Sequence, residues 1–138
     1  MKYSISTDKS KLDVAAIHDY LCNKSYWAKG RSIERVRHSI ENSICFGLYD
    51  ADDKQLGFAR VVTDKTVFAY LMDLFIFEAY QGKGLGTILV KHILAQPDLQ
   101  VRLWFLGTKN AHGLYEKFGF SRLTEPERFM FKRDEKYC

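Results

Sequence analysis

Gln81-Gly82-Lys83-Gly84-Leu85-Gly86 decides how this chain is to be read, because of what stands on either side of it. Before it run residues 67–77, aromatic and branched throughout and interrupted by one charge, Asp73. That composition belongs to a strand rather than a surface loop. After it, Thr87-Ile88-Leu89-Val90-Lys91-His92-Ile93-Leu94-Ala95 repeats apolar residues at helical spacing. Strand, glycine turn and helix in that order point several free backbone N–H groups at one spot, where the helix dipole also favours negative charge. The first turn carries Lys83 and no acid. A cation that opposes the dipole there is explained by an anionic ligand, and the stretch reads as a pyrophosphate cradle.

Working outward, the rest of the chain alternates helical and strand patterns. Residues 3–6 form a short first strand. Residues 10–22 read as a helix, with Leu12, Ala16, Ile17, Tyr20 and Leu21 on one apolar face. Ser32 is placed to cap a second helix with Ile33, Val36, Ile40 and Ile44 facing inward. Residues 25–31 between them form a loop rich in large aromatic side chains. Residues 44–50 and 55–63 read as strands joined by Ala51-Asp52-Asp53-Lys54, and Thr63-Asp64-Lys65 turns the chain into the strand at 66–77. Three strands on short turns imply an antiparallel meander. Pro97 stops the central helix, residues 101–106 read as a buried strand, and residues 111–117 as a short helix closed by Gly119 in the left-handed region. Residues 129–132 complete the reading as a final strand. The expected fold class is α/β: one domain over residues 1–138, built on a mixed, mostly antiparallel central sheet with helices on both faces.

At 138 residues, 46% of them apolar, the chain can bury a core without disulfides or metal. Its net charge of +4 comes from basic residues mixed among 17 acids, which is no phosphate-tracking stripe and argues against a nucleic-acid partner. Cys22, Cys45 and Cys138 have no metal-binding spacing. The first two lie in apolar contexts and are expected buried; Cys138 ends a charged tail as a free thiol. No secretory leader opens the sequence and no apolar run reaches the ~18 residues of a membrane span, so a cytoplasmic protein with no membrane partner is expected.

Three phosphate-binding turns compete for residues 81–86. A P-loop needs Lys followed by Ser or Thr, but Gly84 follows Lys83. A dinucleotide fingerprint needs G-x-G-x-x-G in an early βαβ unit; the spacing here is G-x-G-x-G after a meander. The third pattern, Q/R-x-x-G-x-G/A, is filled by Gln81, Gly84 and Gly86. A second segment, Asn110-Ala111-His112-Gly113-Leu114-Tyr115-Glu116-Lys117-Phe118-Gly119-Phe120, follows at the matching distance. On these two motifs the chain resembles the GNAT (GCN5-related) N-acetyltransferase superfamily, over residues 73–120 by motif and over the whole chain by element order.

That resemblance implies acetyl-CoA as co-substrate, no metal, and direct transfer of the acetyl group to an amine. It implies that Gln81, Gly82, Lys83, Gly84, Leu85, Gly86 and Thr87 hold the pyrophosphate. The backbone of Leu74, Phe75 and Ile76 would hydrogen-bond the pantetheine arm, with Thr108 a further contact. Glycines let the backbone approach because no Cβ intervenes. The resemblance makes Tyr115 the acid for the departing thiolate, a role that suits a phenol titrating near ~10. Asp73, a carboxylate in an apolar strand, needs a reason. It is read either as a base acting on the amine or as a group tying neighbouring structure. Tyr26, Trp27 and Arg31 sit in the loop that borders the acceptor in this family: the aromatics would pack an apolar part, and Arg31 would pair with a carboxylate. Arg60 and Tyr70 are further candidates for the same pocket. The expected partner is a small primary amine. A protein amine, a non-catalytic CoA sensor and another nucleotide ligand remain alternatives, and a homodimer stays open.

Overall fold

The computed structural model of the chain describes residues 2–138. One sheet runs β1 (Ser4–Ser6), β2 (Ile44–Tyr49), β3 (Gln55–Thr63), β4 (Phe68–Ile76) and β5 (Leu103–Phe105), in sequence order from edge to edge. The first four strands pair antiparallel and β5 joins β4 in parallel. The tight turns anticipated from Asp52-Asp53 and Asp64-Lys65 are present, with Asp53 and Lys65 at φ 61° and 64°. In the second turn Asp64 Oδ1 accepts from the backbone N–H groups of Thr66, Val67 and Phe68, which pulls its carboxyl below the usual range.

Helices cover both faces, as the apolar patterns require. On one face, α1 (Val14–Asp19) and α2 (Ile33–Glu41) bring Ile17, Val36 and Ile40 against Cys45, Phe58 and Phe75. On the other, α3 (Leu85–Leu94) packs Leu85, Leu89, Val90 and Ile93 onto Phe46, Leu48, Ala59, Val61 and Leu71, beside α4 (His112–Glu116). Burying each large aliphatic side chain contributes about 1.5–3 kcal/mol. That attraction holds α3 to the sheet although Gly84, its N-cap, offers no side-chain oxygen.

Several local expectations are corrected. The first helix starts later than residue 10 because Asp13 caps it, accepting from Ala16 N–H at 3.0 Å. It then widens into one π-helical turn over Tyr20–Lys24, closed by Ser25 N–H donating to the Tyr20 carbonyl. Ile44 belongs to β2, since α2 ends at Glu41. The strand at 101–106 shrinks to Leu103–Phe105 and is an edge, with Leu103 45% exposed, because among the described residues no strand pairs with its outer side. Residues 129–132 make no ladder with it; Phe129 only leans its ring toward Phe105 at 5.6 Å. Cys45 is buried, and burial lifts its thiol to about 11, whereas Cys22 is half-buried.

Candidate active site

The site is made by an irregularity in β4. Opposite β3, Met72 pairs with Arg60 while Phe75 pairs with Phe58, so β4 carries one residue more than its partner between these pairs. This is a β-bulge, and Asp73 sits in it at φ 51°. Strict alternation would turn Asp73 to the opposite face from Met72. The extra residue keeps its carboxylate on the Arg60 side, where three donors converge. Trp27 Nε1 donates to Asp73 Oδ1 at 2.8 Å, Arg31 Nη1 to Oδ2 at 2.8 Å, and Arg60 Nε to the same Oδ2 at 2.6 Å. Burial alone would push the Asp73 carboxyl up. The Arg60 and Arg31 guanidiniums outweigh it, with hydrogen bonds from Arg60 and Trp27, and hold it below the ordinary value.

The bulge also coincides with a splay. β5 pairs with β4 only from Phe68↔Leu103 to Tyr70↔Phe105. Among the described residues no strand pairs with residues 71–76 on that side. The gap opens a cleft of about 620 Å³ between the second half of β4, residues 106–111 after β5, and α4. Tyr115 lines it from α4, while Tyr26, Trp27 and Arg31 line it from the loop after the π-turn. Tyr26 is fixed there as its Oη accepts from Lys109 N–H at 2.8 Å, and its ring meets Trp27 edge-on at 5.1 Å. Ser25 shapes the loop from below, donating to the Leu21 carbonyl and accepting from Ala28 N–H.

Tyr115 is buried against Phe120, and burial, with the neighbouring Tyr26 phenol, raises it to about 12. A group with that value keeps its proton across the whole physiological range. Thr108 Oγ1 accepts from Ala111 N–H at 3.0 Å and thereby holds the start of α4. His112 is exposed at the first position of that helix, away from any ordered partner among the described residues.

At the end of β4 the glycine turn has the shape that an anion needs. Gly82 and Gly84 adopt φ 81° and 76°, and a Cβ on either would meet nothing within 4 Å, so the space above the backbone is open. Gly86 differs: it is helical, and a Cβ there would sit 3.7 Å from Leu114. That is an ordinary contact, so neither the α3–α4 packing nor the backbone conformation requires a glycine there. Gln81 donates from Nε2 to the Ile76 carbonyl at 2.8 Å and to Tyr20 Oη at 3.3 Å, so its side chain ties the turn to the strand end. Leu85, Phe75 and Ile76 turn their side chains into the core, leaving only their backbone for a ligand. The open turn, an acid-free first helical turn and the unpaired length of β4 together suit a long ligand with a pyrophosphate at one end.

A family model described as an acetyltransferase (GNAT) domain matches residues 41–122, which span β2 to the end of the second motif. The chain belongs to the GNAT acetyltransferase family. It is therefore an acyltransferase, of a family that uses acetyl-CoA as co-substrate. A crystal structure of a GNAT-family protein from Xanthomonas campestris pv. campestris superposes with a TM-score of 0.93 at 38% identity, over 97% of this chain and 94% of that one. An acetyltransferase-type protein of Gibberella zeae is 29% identical over 89% of this chain and 81% of its own length. The uncharacterized N-acetyltransferase ycf52 of Pyropia yezoensis is 29% identical over 82% and 68%. Within the GNAT frame, the sequence motifs located the glycine turn and Tyr115, and the aromatic loop was legible from its composition. Sequence reasoning left Arg60 and Tyr70 at the margin and gave Lys109 and Arg133 no role, yet Tyr70, Lys109 and Arg133 line the cleft and Arg60 holds Asp73. Among the described residues no group of three or more His, Cys, Asp or Glu is gathered as a metal site, and no helix is long and apolar enough to cross a membrane.

Proposed function

We propose that this acetyltransferase moves the acetyl group of acetyl-CoA directly to the primary amine of a small metabolite held in the β4–β5 cleft. One observation carries the reading: the splay brings the unpaired stretch of β4, Tyr115 and the Tyr26–Trp27–Arg31 loop around a single cavity of about 620 Å³. That is room for a thioester end and a small acceptor. Acetyl-CoA, when bound, supplies the activated acyl group. The backbone N–H groups of residues 82–87 hold its pyrophosphate, and the backbone of Leu74, Phe75 and Ile76 holds its arm. A backbone donor on that free edge stabilises negative charge on the acyl oxygen, worth ~3 kcal/mol in acyl transfer. Tyr115, still protonated, donates its proton to the sulfur as the C–S bond breaks, and the proton that the neutral amine loses on forming the C–N bond restores the phenol.

Asp73 is assigned differently from a base. Both its oxygens are taken by Arg and Trp donors and its carboxyl titrates below the ordinary range, which makes it a poor proton acceptor. It is a positioning residue that aims Arg31 and Trp27 into the cleft. The test is mass-spectrometric detection of acetylated product from purified protein, acetyl-CoA and a pooled set of primary amines. An acetylated small amine is expected. Tight acetyl-CoA binding with no product from any amine would replace this reading with a non-catalytic CoA-binding role.

A further inference from the structure

We infer that the acceptor, taken as the amine of the proposed reaction, carries an anionic group of its own, a carboxylate or a phosphate, which docks on Arg31 over the buried Arg60. The basis is a charge count in a dry place. Arg31, Arg60 and Asp73 have side chains only 13%, 10% and 2% exposed. Two guanidiniums share one carboxylate, so the buried cluster keeps one positive charge without a counter-ion. Uncompensated charge at that depth is costly, and an arriving anion removes the cost.

The free valence points to the same residue. Arg31 spends only Nη1 on Asp73; its Nε and Nη2 hydrogen-bond nothing among the described residues. It lines both the cleft and an adjoining cavity of about 550 Å³, so a ligand can reach the residue from either side. The surrounding charges agree. The cleft adds Lys109 and Arg133; the adjoining cavity adds Arg35 and His38 against Glu34 and the terminal residue Cys138, whose oxygen accepts from Arg35 Nε at 3.1 Å. Among the described residues Asp73 is the only carboxylate on the cleft wall, and its oxygens are already occupied. Nothing there is left to pair with a second ammonium. Polyamines are therefore disfavoured, while an amine bearing an acid meets the N–H donors of a guanidinium.

The experiment compares matched acceptors under saturating acetyl-CoA, with kcat/KM read by mass spectrometry: β-alanine against β-alaninamide, O-phosphoethanolamine against ethanolamine, and spermidine. The carboxylate or the phosphate member is expected to exceed its neutral counterpart by about 10- to 100-fold, the two arms telling which anion is preferred. Arg31→Gln should bring that ratio close to one with an unchanged Kd for CoA, and Arg31→Lys should restore part of it. Equal or better transfer to the neutral amines or to spermidine overturns the anion inference and leaves acetyl transfer standing. If no amine is acetylated, the proposed reaction fails, and the anion site is judged by binding alone. With CoA saturating, so that the glycine turn is filled, inorganic phosphate or acetate should raise the Tm of the wild type above a chloride control and leave Arg31→Gln unmoved. Equal shifts in both proteins, or none, overturn it.

Discussion

Replacing Asp73 with Asn separates a positioning carboxylate from a catalytic base. Asn has the same shape, but it removes the one carboxylate that pairs with Arg31 and Arg60 among the described residues, and its amide N–H₂ can only oppose their donors. Removing one partner of a buried ion pair costs about 3–5 kcal/mol, because the remaining charge stays buried. Against a total stability of ~5–15 kcal/mol that is a large fraction. For a chain of this size it corresponds to a fall in Tm of roughly 10–20 °C. The sign with pH follows from the lowered carboxyl. Stability from a depressed acid is present above its unfolded value, 3.8, and is lost as pH falls through the lower value of the folded state. The gap between wild type and Asp73→Asn should therefore be full at neutral pH and close only below about pH 4. Thermal unfolding by circular dichroism at pH 7 and in acid reads both quantities, and acetyl transfer is measured beside them. A variant that melts within about 2 °C of the wild type while losing all transfer would refute the reasoning and return Asp73 to the role of base.

Tyr115→Phe should lower kcat by about 10²–10⁴-fold with an unchanged Kd for acetyl-CoA. The wild-type kcat should show no falling limb near ~10, the ordinary tyrosine value, because the phenol titrates near 12. Gly84→Ala forces a side chain into φ 76°, costing ~1–2 kcal/mol, and puts a methyl group into the open turn, so acetyl-CoA affinity measured by calorimetry should fall about tenfold. Gly86→Ala, in a helix with ordinary contact to Leu114, should bind acetyl-CoA within twofold of the wild type and melt slightly higher, by up to ~1 kcal/mol. Gly47→Ala tests the sheet instead of the site: its Cβ would strike the fully buried Tyr49 ring, an overpacking that should cost ~1–3 kcal/mol in urea unfolding and spare the Kd for acetyl-CoA.

Local chemistry in the chain determined much of this protein. Glycines at 82 and 84, with no acid beside them, demand a left-handed turn open to an anion, and the apolar spacing of residues 85–94 demands a helix behind it. The meander was legible because Asp residues at its turns accept hydrogen bonds from the backbone just ahead, and Ser32 announced the cap of α2. Where the sequence misled, the cause was long-range. Residues 101–106 and 129–132 have strand composition, but composition cannot say whether a partner strand will arrive, and on the outer side of β5 none does. Asp73 was visible as an odd charge in an apolar strand, yet its role was not. That role depends on one extra residue in the pairing of β4 with β3, which turns the carboxylate toward Arg60, and on a loop 42 residues earlier that delivers Arg31. Register and the meeting of distant side chains are properties of the assembled sheet, because each is set by energies shared between segments far apart in the chain. The tertiary structure alone therefore decided that the cleft is cationic at its buried wall.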